Sequence, residues 1–253
     1  MGKGISHGIY RLACAVAGLI CPKPTYLGAE NIPEEPCVLV GNHAHAHGPV
    51  LAELYMPWDR AIWCNGEMMH TKEVPDYTYR DFWSAKPRSI RWLFRILSYL
   101  IAYPCACVFS NAHCIEVYRD ARLTRTFRES LKRLEEGARV VIFPECYTPH
   151  NNIVYLFQEH FIALGTMYQR RTGKPLAFVP MYTSPTLHTV SFGAPVYYDE
   201  HGDAQAERER VCRELMERVT QLAAAQPLHR VVPYPNMPRR DYPMSLPVEE
   251  RQA

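Results

Sequence analysis

Apolar positions in this chain come in short blocks whose spacing switches between two periods. Cys37-Val38-Leu39-Val40, an unbroken apolar run between Pro36 and Gly41, predicts a short buried strand. A helix is expected after Pro49, a residue tolerated in a first helical turn, through Val50 to Leu54. Ala61 to Cys64 reads as the next strand, and Arg88 to Tyr103 as a helix with Ile90, Leu93, Phe94 and Leu97 on one stripe. Ile115 to Tyr118 predicts another strand. Asp120 is placed to cap a helix in which Leu123, Phe127, Leu131 and Leu134 recur until Gly137 stops it. Val140 to Phe143 and Leu176 to Met181 are further apolar strands, separated by a helix from Phe157 to Arg171 that closes near Gly173. A strand pair around 190–196 and a charged helix from Gln205 to Ala225 follow. Beyond Pro227 the prolines at 233, 235, 238, 243 and 247 predict an extended, irregular tail, wrapped on the body or loose.

Strand and helix therefore alternate. That order predicts an α/β fold, a single domain whose mostly parallel central sheet is flanked by helices. The expected organisation is an N-terminal apolar, amphipathic helix in 1–25 that could anchor to a membrane surface, a body in 26–226 and a Pro-rich tail in 227–253. With 253 residues, 47% hydrophobic and 21% charged, the chain has globular composition, which excludes a disordered, collagen-like or disulfide-stapled class.

Charge and thiols narrow the partners. Lys plus Arg number 28 against 26 Asp plus Glu, so no global field exists to hold a nucleic-acid backbone, and none is expected as a partner. Nine cysteines without a C-x-x-C spacing point to a reducing compartment and argue against structural zinc; a cytoplasmic protein is expected. The longest apolar run, Ile96 to Phe109, is interrupted by Ser98 and Pro104 and is shorter than the ~20 residues of a spanning helix, so no transmembrane helix is predicted. Trp92, Leu93, Phe94, Ile96, Leu97, Tyr99 and Leu100, flanked by Arg88, Arg91 and Arg95, form a candidate membrane-contact stripe. The alternative is a buried helix whose arginines reach solvent.

The polar signals fall at the carboxyl ends of predicted strands, where parallel sheets gather reactive groups. His43 follows the first strand and precedes a helix, a position suited to a general base. A lone loop histidine is more often a backbone-bonded structural residue, so its neighbours decide. They are Asn42-His43-Ala44-His45-Ala46-His47-Gly48-Pro49, Glu116-Val117-Tyr118-Arg119, Ile142-Phe143-Pro144-Glu145 and Phe178-Val179-Pro180-Met181, with Phe192-Gly193-Ala194-Pro195-Val196 behind. In this order and spacing the set resembles the glycerolipid acyltransferase family, typified by the 1-acylglycerol-3-phosphate acyltransferases, over about Tyr26 to Gln221.

The resemblance implies a transferase of phospholipid biosynthesis at a membrane surface, peripheral at the inner face of the cell membrane. It implies acyl-CoA or acyl carrier protein as donor, a lipid-like hydroxyl acceptor and no cofactor. It makes His43 the base and puts Asn42, Gly48, Arg119, Glu145 and Cys146 at the substrate. The family's histidine is followed after four residues by an aspartate that fixes its tautomer; here that position is Gly48. Glu53, Glu145, His47 or a backbone carbonyl could substitute, and Gly48→Asp would restore the carboxylate. Arg119 matches the arginine that clamps the acceptor phosphate, by the forked geometry suited to that anion; a surface ion pair with Asp120 or Glu116 is the alternative. Arg122 and Arg125 are expected to be solvated. Glu145 matches the glutamate of Phe-Pro-Glu-Gly, and Cys146 replaces its glycine; a positive φ there would strain the cysteine. Phe157 and Pro180 match positions with structural roles.

Two other chemistries can be read from the same residues. His43, His45 and His47 alternate as metal ligands could, but Pro49 leaves little room for the strand this needs, and no metal is expected. Cys146 as a nucleophile has only His150 nearby to activate it and reads as packing. The expected reaction is direct attack of the deprotonated acceptor hydroxyl on the thioester, with backbone N–H groups near Gly48 stabilising the oxyanion. The alternative is a family member that binds acyl donor or lipid without turnover.

Overall fold

The computed structural model describes residues 3–83, 87–199 and 203–246. In chain order the regular elements are α1 (Lys3–Ile20), β1 (Thr25–Leu27), β2 (Cys37–Gly41), α2 (His47–Tyr55), β3 (Arg60–Asn65), α3 (Val74–Thr78), α4 (Arg91–Asn111) and β4 (Cys114–Val117). There follow α5 (Leu123–Glu135), β5 (Arg139–Ile142), β6 (Glu145–Pro149), β7 (Tyr155–Phe157), α6 (Ala163–Thr172), β8 (Ala177–Ser184), β9 (Thr189–Phe192), β10 (Val196–Tyr197) and α7 (Ala204–Ala224). They cluster into two compact units, each discontinuous in sequence: 1–20 with 62–129, and 21–61 with 130–253.

The second unit is built on strands in the order β1-β9-β8-β2-β5, with β10 beside β8. β2 pairs parallel to both neighbours, Leu39 lying opposite Val141 of β5 and Val179 of β8. Every residue of β2 and β8 is buried, which is why both read as apolar runs and not as alternations. β1 is also parallel to β9, while β8 turns back antiparallel onto β9 and β10. α7 covers β8 with Val211, Leu215, Val219 and Ala223 at helical spacing. Asp203 caps it, its carboxylate accepting from the backbone of Gln205 and Ala206.

In the first unit β3 and β4 run parallel, Trp63 opposite Ile115. The Asp120 carboxylate accepts from the backbone of Arg122 as the chain enters α5. α1 and α4 pack together, and the Asn111 amide donates to Ser6 Oγ at 2.7 Å. α4 runs beyond the predicted stop at residue 103, straight through Pro104. An internal proline deletes the single hydrogen bond to the carbonyl four residues back, and here the helix continues to Asn111. Arg88–Asn111 is therefore long and apolar enough to cross a membrane by length and composition, which corrects the reading that Ser98 and Pro104 interrupt it; 22% of its most apolar window is buried. Both helices expose large apolar groups: Leu12, Leu19 and Ile20 on α1, and Trp92, Leu93, Ile96, Tyr99 and Leu100 on α4.

Two segments differ from the sequence reading. The expected helix from Phe157 begins only at Ala163, because 145–157 is a bulged β6–β7 ribbon in which Glu145 pairs with Phe157. The tail, as far as Leu246, is neither loose nor wholly irregular. Arg230 bridges Met244, the Asn152 amide holds the carbonyls of Met244 and Leu246 at 2.6 Å, and the buried His229 ring accepts from Tyr182 Oη at 2.8 Å. Pro247 and the residues after it lie outside the described residues.

Candidate active site

The second unit holds His43 in a tight turn between β2 and α2 that hydrogen bonds to and from its backbone tie down. The His43 amide donates to Glu145 Oε2 at 2.6 Å, and Gly48 N returns to the His43 carbonyl at 3.1 Å. Ala44 and His45 have φ of 46° and 55°, left-handed backbone that a side chain at Cβ disfavours. Two consecutive non-glycine residues in that region persist only where the surroundings over-determine them. Their effect is to turn the His45 carbonyl back onto the His43 ring, where it accepts a short hydrogen bond from Nδ1.

Of the groups that the sequence offered to orient His43, the backbone carbonyl is the one in contact with its ring. A carbonyl only accepts, so Nδ1 carries the hydrogen and Nε2 holds the lone pair, the tautomer a general base requires. Nε2 has no hydrogen-bond partner among the described residues. The ring is half-buried between Phe143, edge-on at 5.5 Å, and Tyr234 of the tail at 5.2 Å. Burial pushes its pKa below the ordinary 6.5, so the imidazole is neutral at physiological pH.

The other sequence candidates for this orienting role are occupied. Glu53 lies beside Arg60. His47 Nδ1 bonds the Ala44 carbonyl at 3.1 Å, since α2 begins at His47, two residues before Pro49. Glu145 addresses the His43 backbone and not its ring. Its second oxygen accepts from Tyr155 N at 3.0 Å, and burial raises its pKa to about 7 in spite of both bonds. It is a strut that fixes His43 against the β6–β7 ribbon.

Gly48 is buried with no room for a side chain. A Cβ there would meet Phe143 Cε1 at 2.6 Å and the Asn42 carbonyl at 2.8 Å. The N–H groups proposed for an oxyanion are also committed, those of His47, Gly48 and Val50 bonding the carbonyls of Ala44, His43 and Ala46; Pro49 has none. The expectation of an oxyanion site at this helix start is therefore corrected. Asn42 spends both ends of its buried amide on the Thr183 backbone, donating at 3.0 Å and accepting at 2.7 Å, and so ties β2 to β8. Cys146 is half-buried in β6 with an ordinary strand backbone, so the strain that a positive φ would bring does not arise. The rings of His43, His45 and His47 bond three different carbonyls. Among the described residues no group of three or more His, Cys, Asp or Glu is arranged around a metal position.

Arg119 belongs to the first unit. It follows β4, is exposed, and makes no ion pair among the described residues. The carboxylates that could have held it are taken: Asp120 pairs with Arg122 at 2.8 Å, and Glu116 with His70 at 3.1 Å and Arg125 at 3.6 Å. Arg122 is exposed, as expected, and lies over the Tyr118 ring at 3.4 Å.

No family model matches this chain, and no curated protein does. A solved structure is similar. It is the crystal structure of the 1-acyl-sn-glycerophosphate (LPA) acyltransferase PlsC from Thermotoga maritima, 16% identical, with a TM-score of 0.49 over 88% of this chain and 81% of that one.

Sequence reasoning missed Tyr234 and the turn-forming backbone of Ala44 and His45. The tail carried one signal, Val231-Val232-Pro233-Tyr234, apolar residues amid prolines that a solvated linker would not need.

Proposed function

We propose that this chain is an O-acyltransferase that moves a fatty acyl group from a thioester, acyl-CoA or acyl carrier protein, to a hydroxyl of a lysophospholipid-like acceptor. The observation that carries this reading is the tautomer of His43: Nδ1–H is held by the His45 carbonyl, and Nε2 faces outward from that bond as a free base. The motif order around it supplies the reaction class.

In the reaction His43 Nε2 takes the proton of the acceptor hydroxyl as its oxygen attacks the thioester carbonyl. The tetrahedral species collapses by breaking the C–S bond, and the departing thiolate recovers the proton from the imidazolium, leaving ester and free thiol. Direct transfer fits a chain in which the Cys146 thiol has no hydrogen-bond partner among the described residues to activate it. A carbonyl fixes the tautomer but carries no full charge to stabilise imidazolium, so turnover is expected to be slower than with a carboxylate. By motif order alone, Arg119 is the residue assigned to the acceptor's phosphate. The exposed apolar residues of α1 and α4, with Arg88 at one end, support residence at a membrane surface, and the cysteine pattern its cytoplasmic side.

Free-thiol release from palmitoyl-CoA with a lysophospholipid acceptor tests the reading. His43→Ala should lower the rate by ~10²–10⁴-fold, the usual worth of a positioned base, in a chain that still melts cooperatively. Release that persists in the variant would remove His43 from the chemistry. The Tyr234 ring over His43 favours a second reading, binding of acyl donor without transfer; saturable binding with no release from any hydroxyl acceptor would select it.

A further inference from the structure

The His45 turn is not self-supporting. Two left-handed residues in succession, one of them alanine, need an external tie to stay in place, and that tie comes from the other end of the chain. The His45 amide donates to the Pro233 carbonyl at 3.1 Å, and its ring Nε2–H donates to the Pro235 carbonyl at 3.2 Å, with Tyr242 Oη at 3.4 Å from the same nitrogen. Tyr234, between the two prolines, lies against His43 at 5.2 Å and against Tyr147 at 5.0 Å. The loop that offers these groups is closed at its base: Val231 N bonds the Pro243 carbonyl at 2.9 Å and Ser245 N the His229 carbonyl at 2.9 Å. His229 is in turn held by Tyr182 of β8. The loop is thus anchored to the sheet independently of the turn that it grips.

We propose that the C-terminal loop 232–242 is the positioning element for the base, with His45 as the positioning residue. By gripping His45 on both its backbone and its ring, the loop aims the His45 carbonyl at His43 Nδ1 and does the tautomer-fixing work left vacant at Gly48. Proline suits the task physically: Pro233 and Pro235 offer carbonyls on a stiff backbone and have no N–H to satisfy. Acyl transfer enters only through the reading given above; the orientation of the ring does not depend on it.

The test uses the full-length chain labelled with ¹⁵N-histidine, the His43 signal being identified by its loss in His43→Asn. In the wild type, His43 should hold the Nδ1–H tautomer across the neutral pH range. His45→Asn keeps a residue that tolerates left-handed backbone but removes the ring tie. His43 should then exchange between tautomers, and kcat for thiol release should fall about 10-fold or more with KM for the donor within two-fold. Tyr234→Ala, which loosens the loop and leaves His45 intact, should shift the tautomer the same way and decides the matter if the first variant fails to fold. Arg240→Ala, on the exposed side of the loop, should change neither. A fixed Nδ1–H signal in both test variants overturns the clamp, even if His43-dependent turnover stands. A clamp that responds as expected in a protein without turnover would overturn the enzymatic reading and leave the clamp.

Discussion

Two of the strand ends that carry polar signals in this chain are built in opposite ways. At the end of β2, His43 is locked: its amide is on Glu145, its ring on His45, and aromatic rings flank it. At the end of β4, Arg119 is exposed and carries no counter-ion among the described residues, while its neighbours are absorbed into local pairs such as Asp120 with Arg122. The contrast separates two kinds of work. A base must be held in one tautomer and aimed before substrate arrives, which takes neighbours from distant parts of the chain. A cation that meets an anionic group needs only to remain unpaired and reachable, which takes the absence of neighbours. Substitutions at the first end should therefore disturb fold and chemistry together, and at the second only affinity.

The largest effect is expected where the locked end leaves no space. On paper, Gly48→Asp would place a carboxylate five positions after His43, but its Cβ would lie 2.8 Å from the Asn42 carbonyl and 3.1 Å from the His43 carbonyl. Backbone cannot yield there without moving His43. The variant should lose ~1–3 kcal/mol of stability, as overpacked cores do, and show no gain in thiol release. Chemical denaturation with the release assay checks both, and a stable, faster Gly48→Asp would refute the account of the turn.

Glu145 tests the same end through pH. Its folded pKa, raised to about 7 from 4.5 by burial, means the native state binds more protons than the unfolded chain between those values. Its contribution to stability is therefore complete below about pH 4.5 and is lost as pH rises through about 7. His43 acts oppositely, for its lowered pKa costs stability as pH falls below 6.5. In Glu145→Gln the first component disappears. The variant should be destabilised most at pH 5, and the deficit should shrink by up to ~3 kcal/mol by pH 8. Urea melts at the two pH values measure this; a deficit independent of pH would mean that Glu145 titrates normally.

Much of this architecture was legible because its periodicities are local. β2, β5 and the helix of Leu123, Phe127 and Leu131 could be read from spacing alone, since burial on both faces or on one stripe imposes it. The β6–β7 ribbon was not, because polar residues and a proline in Glu145-Cys146-Tyr147-Thr148-Pro149 interrupt any strand alternation. Nor could the orienting group at His43 be singled out. A backbone carbonyl is present on every residue, so only the φ angles of Ala44 and His45 determine which one turns inward. Those angles are held by residues 190 positions away in sequence, a separation beyond the reach of any local pattern. Arg119 was legible for the opposite reason, since its setting depends on little beyond its own strand end.

The smallest effect is expected at that open end, and its selectivity makes it informative. Arg119→Ala removes an exposed side chain without a partner among the described residues, so stability should change by no more than ~0.5 kcal/mol. If the guanidinium meets a phosphate, the KM for a phosphate-bearing acceptor should rise about 10-fold, close to 1.4 kcal/mol. With an uncharged monoacylglycerol acceptor KM should not move, and in both cases kcat should hold. Arg122→Ala is the comparator, because that guanidinium is already committed to Asp120 and to the Tyr118 ring; it should leave the preference between the two acceptors unchanged. Raising salt should erode the preference of the wild type and not that of Arg119→Ala, since an exposed ion contact is screened where a buried one is not. Equal losses with charged and uncharged acceptors would show that the open strand end does not select the anion, and the acceptor would then have to be sought among molecules without one.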